Sequence, residues 1–81
     1  MAAGEAHIAS VKTIGRVATV LQALAEGAAA GMRLSEVGAA VGLGKATVHR
    51  LLGAMVEVGF VEYDEPSRLY RLGYGLFALG A

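Results

Sequence analysis

The sequence predicts a mainly α domain closed by a small β-hairpin, and three observations carry that prediction. Apolar residues recur at spacings of three and four through three successive segments. The second and third of these are separated by only Leu43 and Gly44, a turn short enough to make a helix-turn-helix. Beyond Gly59 the apolar period changes to two, in a pair of short stretches either side of a polar turn. Helix, helix, helix, strand, strand is the element order of a winged helix-turn-helix.

Length and composition bound what such a domain can do. Eighty-one residues make one small domain with a modest core. There is no Cys, so thiol chemistry and a disulfide framework are excluded. Two His and no cluster of acids speak against a metal site. No apolar run reaches the length of a membrane span, and MAAGEAHIAS lacks the basic-then-apolar pattern of a secretory signal. The expected location is a reducing cytoplasm. Seven basic and seven acidic side chains cancel, which is unusual for a nucleic-acid binder and predicts modest affinity for a single copy. Local fields, however, matter more than the total.

The first element is expected to follow a disordered tail over residues 1–9. Thr13 reads as its N-cap, and Ile14, Val17, Leu21 and Leu24 form its apolar stripe with Val20 beside them. Gly27 ends it, and Gly27 to Met32 reads as a loop or a frayed helix end. A second, short helix starts at Ser35–Glu36, with Leu34 in front, Val37 and Val41 as its apolar positions and Gly42 as its stop. The third spans 44–58, with Gly44 as its cap and Gly59 beyond its end. Phe60 to Tyr63 and Leu69 to Leu72 are the strands, and Asp64 to Arg68 the turn that makes the wing. The core domain therefore runs over 10–73. Residues 74–81, with apolar Tyr74, Leu76, Phe77 and Leu79, read as the start of a linker helix cut short.

The third helix carries the functional signal. In GLGKATVHRLL, at about 100° per residue, Val48, Leu51, Leu52 and Met55 fall on one side and Ala46, His49, Arg50 and Gly53 on the other. Lys45 and Thr47 sit in the first turn, where free amides favour a phosphate. Arg50 is long enough to meet a guanine edge with two hydrogen bonds, and His49 can donate to a base or a phosphate. Ala46 and Gly53 allow close approach. A solvated helix face has a similar composition, and the helix-turn-helix before it and the hairpin after it shift the balance to DNA. Arg68 at the wing tip is a candidate for a minor groove or a phosphate, although Asp64 and Glu65 lie near it. Ser35, at the start of the helix that crosses the DNA backbone, is a candidate phosphate contact, as is Arg16 on the first helix. Arg71 is expected on the exposed face of its strand, and the five aromatic residues in the core or hairpin rather than on a base-stacking platform.

TIGRVATVLQALAEG, LSEVGAAVGLGKATVHRLLGAMVEVGFVE and YRLG together resemble the N-terminal domain of the isocitrate lyase regulator (IclR) family of bacterial transcription factors. The resemblance covers the chain from about Ser10 onward. Its most specific part is LGKATVHRLL, then GFVE, then YRLG beyond the wing. It implies a winged helix that binds double-stranded operator DNA, in a full-length protein that is a homodimer or tetramer. It also implies a linker helix leading to a C-terminal domain that takes a small-molecule effector, absent from this chain. The family's DNA-reading positions fall on Lys45, Ala46, Thr47, His49 and Arg50. Three positions depart from the family pattern: Gly44 where Pro is usual, Ala46 where Ser is common, and Arg68 near the usual wing Gly.

Two classes of function follow. The first is sequence-specific DNA binding by a transcriptional regulator. The second is a winged helix used for protein contact or dimerisation, suggested by the neutral charge and the apolar segment from Tyr74. An enzyme is not expected, since no nucleophile is paired with a base and no phosphate loop is present, and neither cofactor nor metal is expected.

Overall fold

The computed structural model describes the backbone of residues 3–80 and the side chains of residues 11–76 and 78. Its elements are α1 (Ala3–Glu26), α2 (Leu34–Val41), α3 (Lys45–Glu57), β1 (Val61–Asp64), β2 (Leu69–Leu72) and α4 (Tyr74–Gly80). This is the winged helix-turn-helix order. No described helix is long and apolar enough to cross a membrane.

The core draws on every major element. Val20 and Leu24 of α1, Val37 of α2, Val48, Leu52 and Met55 of α3, Val61 of β1 and Tyr70 of β2 are buried together. Removing side chains of this size from water stabilises by about 1.5–3 kcal/mol each. Around them pack the half-buried Val17, Leu21, Met32, Leu34, Val41, Leu43, Leu51, Phe60 and Leu72. The predicted apolar faces of α2 and α3 are thus the ones that pack.

Two expectations about α1 fail. The helix starts at Ala3, not at Thr13, so the stretch expected to be disordered is helical from Ala3 onward; Met1 and Ala2 lie outside the described residues. The physical reason is propagation. The Ala-rich segment before Thr13 contains no Pro, and extending an existing helix avoids a new nucleus. Thr13 is consequently an exposed interior residue and caps nothing. Ile14 also departs from its stripe: it is 66% exposed, as Val11 is at 55%. The core begins to cover α1 only near Val17, and the helix runs past it on the N-terminal side.

Between α1 and α2 the chain does more than loop. Met32 and Tyr70 exchange backbone hydrogen bonds, at 2.8 Å and 2.7 Å, forming an isolated antiparallel bridge. The hairpin therefore gains a third, one-residue strand that ties the wing to the helical part. The α2 start follows at once. Arg33 is extended at the N-cap, and its N–H donates to the Glu36 carboxylate at 2.8 Å. An Arg side chain has no acceptor with which to return that bond, so only the Glu36 half of a capping box forms. Leu34, rather than Ser35, is the first residue of the helix. Gly42, with φ of 70°, ends α2 in the left-handed conformation that a side chain disfavours. Its N–H and that of Leu43 both donate to the Gly38 carbonyl, which completes the tight turn into α3.

The two strands pair in antiparallel register, Val61 with Leu72, Glu62 with Arg71, Tyr63 with Tyr70 and Asp64 with Leu69. Phe60, expected in the strand, precedes it and links the ends of the hairpin instead: its N–H donates to Met55 and its carbonyl accepts from Gly73. Four residues turn the wing. Arg68 N–H donates to the Asp64 carbonyl at 2.7 Å, and the Asp64 carboxylate accepts the Ser67 N–H and hydroxyl. These bonds hold the Asp64 carboxyl below its ordinary value of 3.8, with the Ser67 hydroxyl the largest cause. Arg68 itself takes φ of 59°, the left-handed region that Gly adopts without strain.

Candidate nucleic-acid interface

Helix α3 presents two faces. Val48, Leu52 and Met55 are buried and Leu51 half-buried, while Lys45, Ala46, His49, Arg50 and Gly53 are exposed and Thr47 is half-buried. All of the residues predicted to read DNA thus stand on one side of one helix. Gly53 lies in the helix interior, yet a Cβ there would meet nothing within 4 Å. The fold itself supplies no packing reason for glycine at this point. Gly44 at the N-cap has φ of −67° and ψ of 156°, values a proline would also take.

A shallow cleft opens on each side of that face. On one side, Thr13 and Arg16 of α1 face Thr47, Arg50, Leu51 and Ala54 of α3. On the other, an open cleft of about 640 Å³ separates the wing from α2 and the start of α3. Ser35, Lys45, His49 and Arg68 line it, together with Arg33 and Tyr63. The structure so brings together the predicted positions, Arg16 and Arg50 in one cleft and Ser35, Lys45, His49 and Arg68 in the other. Sequence reasoning did not pick out Tyr63 or assign a contact to Arg33. Both are set by the fold: Tyr63 through its strand register, Arg33 through the Met32–Tyr70 bridge beside it.

Neither cleft is lined by an acidic residue. Three of the seven acids have partners of their own. Glu62 and Asp64 face Arg71, with Nε to Glu62 at 3.7 Å and a second guanidinium nitrogen to Asp64 at 4.0 Å. Arg71 also reaches the Ala30 carbonyl at 3.5 Å. It stands on the outer face of its strand, as expected, with its side chain 41% exposed and held by these partners. Glu36 is turned to the α2 backbone. The other oxygen of Glu62 accepts the Tyr74 N–H at 3.2 Å, where α4 starts.

Of the aromatics, Tyr70 is buried and Tyr63 leans on it, with ring centroids 4.6 Å apart and planes at 41°. Burial, and secondarily Tyr63, raises the Tyr70 hydroxyl above its ordinary value of 10.0. Phe60 packs against the core. Tyr74, expected to pack, is 77% exposed because α4 touches the body chiefly through β1. The side chains of His7, Phe77 and Leu79 lie outside the described residues. Among the described residues no group of His, Cys, Asp or Glu is gathered for a metal.

The sequence pattern of the IclR helix-turn-helix domain matches residues 13–65. The chain belongs to the IclR family. It is 37% identical over 71 residues to the glycerol operon regulatory protein of Streptomyces coelicolor, and equally so to that of Streptomyces griseus, covering 88% of this chain. Among solved structures it resembles an IclR transcriptional regulator from Alicyclobacillus acidocaldarius (TM-score 0.80, 33% identity) and HmgR of Pseudomonas aeruginosa (TM-score 0.77, 30% identity), each over 85% of this chain. The chain spans 28% of the length of each of these relatives. The segment is an IclR helix-turn-helix domain with the winged fold of the IclR transcriptional regulators it resembles. Nothing among the relatives supports the protein-contact alternative.

Proposed function

We propose that this IclR-family domain reads operator DNA with α3 in the major groove and the wing on the flank. The observation that carries this reading is the exposed α3 face with an acid-free cleft on either side. A helix about 10–12 Å across fits a major groove about 12 Å wide. In that pose Arg50, His49, Thr47 and Lys45 meet base edges and nearby phosphates, and Ala46 and Gly53 let the backbone approach. Ser35 and Arg68 meet the DNA backbone on the wing side, and Arg16 on the α1 side. Such contacts divide the work: phosphates fix position and base edges specify sequence.

A neutral domain binds weakly alone, and two linked copies on two half-sites raise the effective affinity. The full-length protein is therefore proposed to act as a homodimer or tetramer in the cytoplasm, with a C-terminal effector domain beyond this segment. By likeness to the Streptomyces glycerol operon regulatory proteins, its target is the operator of an operon. It works by binding and carries out no chemical step.

The test compares Arg50→Ala with Arg71→Ala on an operator selected from a random duplex library. Arg50→Ala is expected to lower specific binding roughly 10-fold or more, the worth of a bidentate base contact. Arg71→Ala, whose partners are Glu62, Asp64 and the Ala30 carbonyl and which lines neither cleft, is expected to change it little. Equal losses would refute the roles given to the two arginines.

A further inference from the structure

We propose that the cleft between the wing and α2 is a seat for one phosphodiester of the DNA backbone, and that Arg33 and Tyr63 are two of its ligands. This rests on the DNA-binding reading above and names residues that it leaves out.

The cleft is built from cations with no counter-ion. Arg33, Lys45 and Arg68 line it, no acid does, and none of the three makes an ion pair among the described residues. Arg71, one strand position from Tyr70, is by contrast matched to two acids. Three cations without an ion pair among the described residues border one open concavity of about 640 Å³, which favours a passing anionic backbone. The seat is also adjacent to the groove-facing helix, since Lys45 is its first residue and His49 lies one turn on. A duplex lying on α3 brings its backbone to this point.

The backbone that carries Arg33, Tyr63 and Arg68 is tied in place. The Met32–Tyr70 bridge fixes the neighbour of Arg33 to β2, and Glu36 holds the Arg33 N–H. Tyr63 pairs with Tyr70 across the strands and rests its ring on it at 4.6 Å, while remaining 39% exposed. A tyrosine so supported offers a hydroxyl donor at a set place with little entropy left to lose. At the opposite lip the Arg68 backbone is held by the bond from its N–H to the Asp64 carbonyl.

A charged and an uncharged ligand have different signatures, which makes the proposal testable. Binding of the 81-residue chain to a short mixed-sequence duplex is measured by fluorescence anisotropy over a salt series, for wild type, Arg33→Gln, Tyr63→Phe and Arg50→Ala. Loss of one phosphate-neutralising cation lowers the slope of log affinity against log salt by about one unit, expected for Arg33→Gln. Tyr63→Phe keeps the ring stack and removes only the hydroxyl. It is expected to weaken binding roughly three- to tenfold with the salt slope unchanged. An amide NMR spectrum of each variant confirms the native fold. If wild type binds and Arg50→Ala weakens it, but the two cleft variants keep wild-type affinity and slope, the seat is refuted and the DNA reading stands. If wild type shows no salt-dependent binding, the DNA reading fails and the seat with it. Competition by polyglutamate as effective as by duplex would also overturn the seat, marking a surface for acidic protein instead.

Discussion

Gly73 lies so close to Gly59 that a Cβ built on it would stand 2.4 Å from the Gly59 carbonyl oxygen. Gly59 itself has φ of 83°, and Gly75 meets the same carbonyl in the same way, at 2.7 Å. The turn leaving α3 and the start of α4 thus pack backbone to backbone, joined by the bond from Gly73 N–H to Phe60. The obstacle is backbone and not a flexible side chain, so it yields poorly. Gly73→Ala is expected to destabilise the domain by ~1–3 kcal/mol, the usual cost of overpacking. Urea unfolding followed by circular dichroism measures it, and an unchanged midpoint would contradict the contact.

Gly44 offers the opposite case. Its dihedrals already suit proline, and its carbonyl, the group proline retains, is the one that accepts the Val48 N–H. Gly44→Pro restricts the unfolded chain while keeping the dihedrals that residue 44 already has. A gain of about 0.4–1 kcal/mol is expected, read as a rise in melting temperature. A fall would mean that Leu43 cannot take the extended conformation a following proline demands.

Gly53→Ala separates stability from binding. In an exposed helix interior, alanine is preferred to glycine by about 0.8–1 kcal/mol, and a Cβ here meets open space. The free domain should become more stable. If Gly53 allows α3 to approach DNA closely, duplex affinity should fall at the same time. A variant that is both more stable and equally tight would show that the missing side chain has no part in binding.

Asp64 makes the wing sensitive to acid. Its carboxyl is held below 3.8 by Ser67 and Arg71, so its ionised form is favoured in the folded hairpin. The stabilisation is present above the unfolded-state value and is lost as pH falls through the lower folded one. Asp64→Ala should therefore be less stable than wild type near neutrality, with the gap closing from roughly pH 5 downward. Urea midpoints of both proteins across that range test this; a gap independent of pH would place the effect of Asp64 elsewhere.

What the sequence determined by itself is the local part of this protein. The two faces of α3, the α2 stop at Gly42, the wing turn from Asp64 to Arg68 and the family all follow from residue types at short spacings. Helical period and turn chemistry act over a few residues, and a linear reading captures them. It failed on the N-terminal half of α1, where spacing alone marked Ile14 as apolar core although it is 66% exposed. Only the tertiary structure decided the pairing of Met32 with Tyr70, the withdrawal of Glu62 and Asp64 toward Arg71, and the meeting of Arg33 with Tyr63 at one cleft. Each joins residues distant along the chain or on opposite strands. Such contacts depend on how the elements pack, because a charge or hydrogen-bonding group acts on whatever lies a few ångströms away, and chain order does not record those neighbours.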